Sequence, residues 1–136
     1  MIEPRWLPLG VVLAIHRMQI DRFGGAEGLR DQGLLESALA RPRQLFHYGD
    51  GSNSGPGIPQ LAAAYAFGVA RNHPFLDGNK RTAFMVAAVF MEDNGWVVEL
   101  EQVDVVLKIL ALATGEMAER ELAAWLETGS RLAVDG

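Results

Sequence analysis

The 136-residue chain contains no cysteine. Disulfides, thiol catalysis and cysteine-ligated zinc are excluded at once. It also lacks any run of about 18 consecutive apolar residues, the length at which a sequence reads as a membrane span. Positive charge is scarce, since 12 basic against 17 acidic residues give a formal net charge of −5. No direct nucleic-acid binding is expected from such a balance, because DNA and RNA binders carry a broad basic face. A small basic pocket remains compatible with it. The P-loop is missing: Gly78-Asn-Lys-Arg-Thr82 follows a helical pattern, not a strand, and has no first glycine. The His-Glu-x-x-His pattern of zinc hydrolases is missing too.

What is present suits a packed globular chain. Hydrophobic residues make up 49% and charged residues 21%, enough for one core, and residues 1–136 read as a single domain. Met1 to Met18 invites a check for a signal peptide. Glu3 in the would-be basic region and His16-Arg-Met18 in place of a small-residue cleavage site argue for an ordinary buried helix instead. A cytoplasmic location fits the absence of cysteine, a leader and a membrane span.

Hydrophobic periodicity predicts an all-α fold. A first helix spans about Pro8 to Phe23 and ends on Gly24-Gly25. After a connector, a second runs from about Gly33 to Ala40, closed by Pro42. Tyr48 to Pro59, rich in glycine and serine, reads as a loop or flap. Leu61–Arg71 and Asn79–Asp93 are apolar nearly all round and are read as two central, buried helices. Trp96 to Leu100 suggests a short strand. Val103–Ala113 and Glu119–Glu127 are two further helices, separated at Thr114-Gly115.

The segment joining the central helices, His73-Pro-Phe-Leu-Asp-Gly-Asn-Lys-Arg-Thr-Ala83, concentrates the chemistry. A helix start offers unpaired N–H groups and partial positive charge, and so attracts phosphate. Lys80 and Arg81 fall in the first turn, where cations oppose the helix dipole unless an anion joins them. That placement favours a phosphate site over two solvated side chains. Asp77 has two readings: an N-cap for the helix, or a ligand for Mg²⁺ carried by nucleotide phosphates. His73, four residues before that carboxylate, is a candidate general base. Phe75 reads as a core anchor for the loop. His16 and His47 have no partner pattern and read as structural or surface residues.

His73-Pro-Phe-Leu-Asp-Gly-Asn-Lys-Arg81 resembles the signature of the Fic/Doc superfamily, with His, Phe, Asp, Gly, Asn and Arg at the family's spacing. Ile15-His-Arg-Met-Gln-Ile-Asp-Arg-Phe-Gly-Gly25 looks like the first helix of Doc-type proteins, and Ala113-Thr-Gly-Glu116 like a turn near their C-terminus. The resemblance implies a Fic/Doc-like helical bundle. Two departures from the adenylyltransferase pattern point to the Doc branch. Lys80 stands where those enzymes carry a second glycine, and Phe84 where they carry a second arginine. A lysine fills space left for the nucleotide, and a phenylalanine removes a cation that would hold the terminal phosphate.

The resemblance further implies a toxin-type protein kinase that uses ATP and Mg²⁺. Its target would be a threonine of the translation elongation factor that delivers aminoacyl-tRNA. By matching position, His73 would take the hydroxyl proton and Asp77 would orient Mg²⁺ or the reacting groups. The backbone of Gly78 and Asn79 would cradle phosphate, with Lys80 and Arg81 neutralising its charge. The self-inhibitory pattern of many Fic proteins, Ser/Thr-x-x-x-Glu-Gly/Asn, has only a partial match at Glu27-Gly28, four residues after Phe23. Control is then implied in trans, by a Phd-like antitoxin. The alternatives are an AMP transferase that tolerates Lys80 and a non-enzymatic module that binds an antitoxin or nucleotide. The intact His73 and Asp77 argue against the latter.

Overall fold

The computed structural model describes residues 2–49, 51 and 55–134. Among them the chain forms α1 (Leu9–Phe23), α2 (Gln32–Tyr48), α3 (Ile58–Asn72), α4 (Asn79–Asp93), β1 (Trp96–Val98), α5 (Gln102–Thr114), α6 (Glu119–Thr128) and β2 (Ser130–Leu132). The fold is all-α, with one small antiparallel ribbon pairing Trp96 with Leu132 and Val98 with Ser130. None of the described helices is long and apolar enough to cross a membrane.

The alanine-rich α3 is the central element, packed against α2, α4, α5 and α6. Leu61, Tyr65 and Val69 are fully enclosed, as the all-round apolar pattern predicts. Burial pushes the Tyr65 hydroxyl above its ordinary pKa, while the Leu7 N–H that donates to its oxygen (3.1 Å) and the Arg43 charge pull the other way. The neutral hydroxyl therefore serves to fasten the N-terminal segment. Packed on α3, α4 also meets α1 and α5.

Three expectations change. The second helix does not stop before Pro42: α2 runs on to Tyr48 with Pro42 buried inside it. An internal proline loses one backbone hydrogen bond and costs about 3 kcal/mol. Continuing the helix brings Leu45 and Phe46 onto the core, with Phe46 edge-on to Trp6. Burial of two such side chains offsets a loss of that size, at about 1.5–3 kcal/mol each when complete. The supposed flap is also shorter than Tyr48–Pro59, because Tyr48 belongs to α2 and Ile58-Pro59 to α3. Residues 50 and 52–54 of that loop lie outside the described residues. Finally, the strand at Trp96 ends at Val98 and finds its partner in Ser130–Leu132, which has no strand pattern of its own.

Candidate active site

The loop between α3 and α4 is held from three directions. His73 caps α3 in a left-handed backbone conformation (φ 48, ψ 56), and its N–H donates to the Val69 carbonyl. For a histidine this conformation is uncommon and persists where the surroundings impose it. Arg30 supplies that constraint. Its Nε donates to the His73 carbonyl (2.7 Å) and its Nη2 to the Asn72 carbonyl (2.8 Å). A guanidinium on the last carbonyls of a helix also complements the negative end of the dipole. The connector that carries Arg30 forms a short bridge with the loop: Arg30 N–H donates to the Pro74 carbonyl and Leu76 N–H to that of Gly28. The His73 imidazole is left exposed, with no ring partner among the described residues.

Inside the loop, Phe75 is buried as expected. The Asn79 side chain closes a two-way clasp on it, accepting from Phe75 N–H and donating to its carbonyl, both at 3.0 Å. The clasp holds the buried Asn79 side chain toward the loop, and its backbone N–H is left without an acceptor among the described residues. From α1, His16 stacks flat on Phe75, with ring centroids 3.8 Å apart and planes 6° apart. Its Nε2 lies 2.8 Å from the Asp77 carbonyl. A carbonyl can only accept, so this nitrogen carries the hydrogen.

Asp77 does not cap α4. Gly78 occupies the cap, left-handed at φ 74, and no described side chain caps the first turn there. The Asp77 carboxylate accepts from Gly78 N–H (2.9 Å) and, more weakly, from Ala26 N–H (3.4 Å). Gly25 is pressed against it, since a Cβ there would stand 2.8 Å from Asp77 Oδ2. The exposed carboxylate keeps acceptor capacity on both oxygens. The first backbone bond of α4 is Thr82 N–H to the Gly78 carbonyl. Among the described residues the amides of Asn79, Lys80 and Arg81 have no acceptor.

Lys80 and Arg81 are exposed, and no described carboxylate pairs with either. The Arg81 guanidinium lies 4.6 Å from the centre of the Phe23 ring, which Arg22 also approaches at 5.5 Å. A cation at this distance is attracted to the face of the ring, which offers no acceptor that would use up the guanidinium N–H groups. These side chains open onto a cleft of about 440 Å³, lined by Met18, Phe23, Lys80, Arg81, Phe84 and Ile109 among others. His73 and Asp77 do not line it. Lys80 and Arg81 thus stand between the open amides on one side and an apolar cleft on the other.

Asp77 is the one carboxylate within the loop, and no cluster of three potential metal ligands occurs among the described residues. This fits Mg²⁺, which keeps several waters and is commonly held by one or two carboxylates together with substrate phosphates. It does not fit a dedicated all-protein metal cage. His16, read as structural or surface, is buried and structural; sequence reading missed Arg30 and the contact of His16 with Asp77, since the partners stand 43 and 61 residues away. Nothing in the local pattern around either residue signals those contacts.

A family model described as the Fic/DOC family matches residues 6–91. The chain is 44% identical over 73 residues to a Mycolicibacterium smegmatis protein named Toxin Doc, a match covering 54% of this chain and 54% of that protein. It therefore spans about half the length of that relative. Over 112 residues it is 30% identical to the protein of Escherichia phage P1 named Protein kinase doc, covering 82% of this chain and 85% of the phage protein. With its signature loop at the junction of the two central helices, the chain belongs to the Fic/DOC family and is similar to its Doc-type members.

Proposed function

We propose that this protein is a Doc-like toxin that transfers the γ-phosphoryl group of ATP to a threonine hydroxyl of a translation elongation factor. One observation carries the reading. In a chain of net charge −5, the start of α4 leaves three amides and two cations without acidic partners among the described residues. Phosphate is the ligand that suits open amides, cationic side chains and a helix N-terminus together.

In the proposed reaction the exposed His73 imidazole accepts the proton of the target hydroxyl. The freed oxygen pair bonds to the γ-phosphorus as the bond to the β-phosphate oxygen breaks, and ADP leaves. Backbone amides of Asn79 and Lys80 cradle the phosphates beside Gly78, which has no side chain to obstruct them. Lys80 and the N–H edge of Arg81 offset charge on the transferring group. Asp77 would hold Mg²⁺, which neutralises phosphate charge. Positioning and charge stabilisation supply most of the rate in such transfers. The name of the phage relative supports a kinase over an AMP transferase. So do Lys80 at the helix start and the apolar Phe84 on the cleft, in place of a glycine and an arginine.

Control in trans suits the cleft. It is apolar along α1, α4 and α5 and cationic at the loop, with Phe23 47% and Val106 55% exposed. An amphipathic segment of a Phd-like antitoxin, with acidic residues toward Lys80 and Arg81, matches that surface. Such a pair would act in the cytoplasm, where the elongation factor is.

The test uses ATP labelled at the γ or the α phosphate, with Mg²⁺, bacterial elongation factor and a His73→Ala control. Label from the γ position alone, lost in the control, is the expected result. Label from the α position would replace the kinase with a nucleotidyl transferase. Equal labelling by His73→Ala would remove the general base.

A further inference from the structure

We infer that His16 is a positioning residue that keeps the start of α4 open for phosphate. This rests on the reading of the Gly78–Arg81 helix start as a phosphate site. His16 is buried on α1 and takes no part in the proton transfer proposed above. Its Nε2–H donates to one loop group, the Asp77 carbonyl.

The identity of that carbonyl matters. Helical bonds run from N–H to the carbonyl four residues earlier. If α4 began one residue sooner, the Arg81 N–H would donate to the Asp77 carbonyl. The amide would then be spent inside the helix and withdrawn from the cradle. The His16 Nε2–H, at 2.8 Å, takes one of the two lone pairs of that carbonyl and so competes with the Arg81 N–H for it. Gly78 completes the device by turning the chain left-handed at the junction. A side chain there would be strained at φ 74, and its Cβ would lie 3.1 Å from Ile20 Cδ1 and 3.8 Å from His16 Nε2. The stacked Phe75 ring holds the imidazole plane, and in that plane the Nε2–H meets this carbonyl.

Two substitutions separate the donor from the ring. His16→Phe keeps a flat ring over Phe75 and loses the N–H. His16→Gln loses the ring and places an amide donor where Nε2 stood. The backbone N–H signals of Asn79, Lys80 and Arg81 are followed by NMR during titration with inorganic phosphate. Loss of one charge-assisted hydrogen bond weakens binding roughly tenfold. His16→Phe is therefore expected to bind phosphate roughly tenfold more weakly, with the largest change at Arg81, while His16→Gln stays within about twofold of the unaltered protein. In the labelled-ATP assay the same order should appear in KM for ATP more than in kcat.

The opposite order, with Phe unimpaired and Gln weakened, would show that ring packing alone matters and would overturn the assignment. So would equal behaviour of both variants, or amides in the unaltered protein that ignore phosphate. If the unaltered protein transfers no label yet its amides respond to phosphate and His16→Phe weakens the response, the kinase reading falls and the role of His16 stands.

Discussion

The residues that carry the proposed chemistry divide by how they are held. His73 and Asp77 are exposed side chains on a backbone fixed by others. Arg30 is the most direct of those holders, because its guanidinium fork grips the carbonyls of both Asn72 and His73. Replacing Arg30 with alanine frees the backbone of the general base without touching the imidazole. Misplacement of a reacting group by even 1 Å can cost about a hundredfold in rate. A partial loss is expected here, since Arg30 N–H and Leu76 N–H still tie the loop to the connector. The expected outcome is a roughly tenfold fall in kcat with KM for ATP nearly unchanged. A fall confined to KM would assign Arg30 to nucleotide binding instead.

At the scale of elements, α2 and α3 meet backbone to backbone beside the turn that Pro42 interrupts. Gly68 meets Ala38 so closely that a Cβ on it would stand 3.0 Å from Ala38 Cα and Cβ and 3.2 Å from the Ala38 carbonyl oxygen. That carbonyl is the one Pro42 cannot serve with an N–H. Alanine at position 68 would favour the helix by about 1 kcal/mol. Overpacking against backbone costs about 1–3 kcal/mol and cannot be relieved by rotating a side chain. The clash should win, so Gly68→Ala is expected to lower stability by about 1–2 kcal/mol in urea denaturation. A stabilised variant would show that the two helices can separate without penalty. The sequence pattern could not reveal this contact. It showed each helix's apolar face, and correctly bounded α4 at Asn79 and Asp93, but not which faces meet.

Over the whole molecule, the N-terminal segment is tied to the core by Tyr65, and this gives stability a pH dependence. The Tyr65 pKa is raised in the folded protein, chiefly by burial, from an ordinary value of 10.0. The folded state therefore holds this proton more tightly than the unfolded chain. Its contribution is fully present below pH 10 and is lost as pH rises through the folded pKa. Denaturation midpoints measured between pH 9 and 11 should fall with rising pH, and Tyr65→Phe should flatten the Tyr65 part of that fall. An equally steep decline in the variant would assign the effect to other groups. The same molecular scale brings α1, α4 and α5 around the cleft, setting apolar walls beside the Lys80 and Arg81 cations.

By itself the sequence determined the all-α class, the two buried central helices and the loop that bears His73, Asp77, Lys80 and Arg81. Those features are local: periodicity, glycine stops and a contiguous motif register within a few residues of chain. Only the tertiary structure decided that Asp77 leaves the cap of α4 to Gly78, that α2 passes through Pro42, and that Ser130–Leu132 becomes a strand. It alone brought Arg30 to His73 and His16 to Asp77. Each of these depends on a hydrogen bond or packing contact between segments distant along the chain. Local propensity cannot register such contacts, because their partners are supplied by the fold.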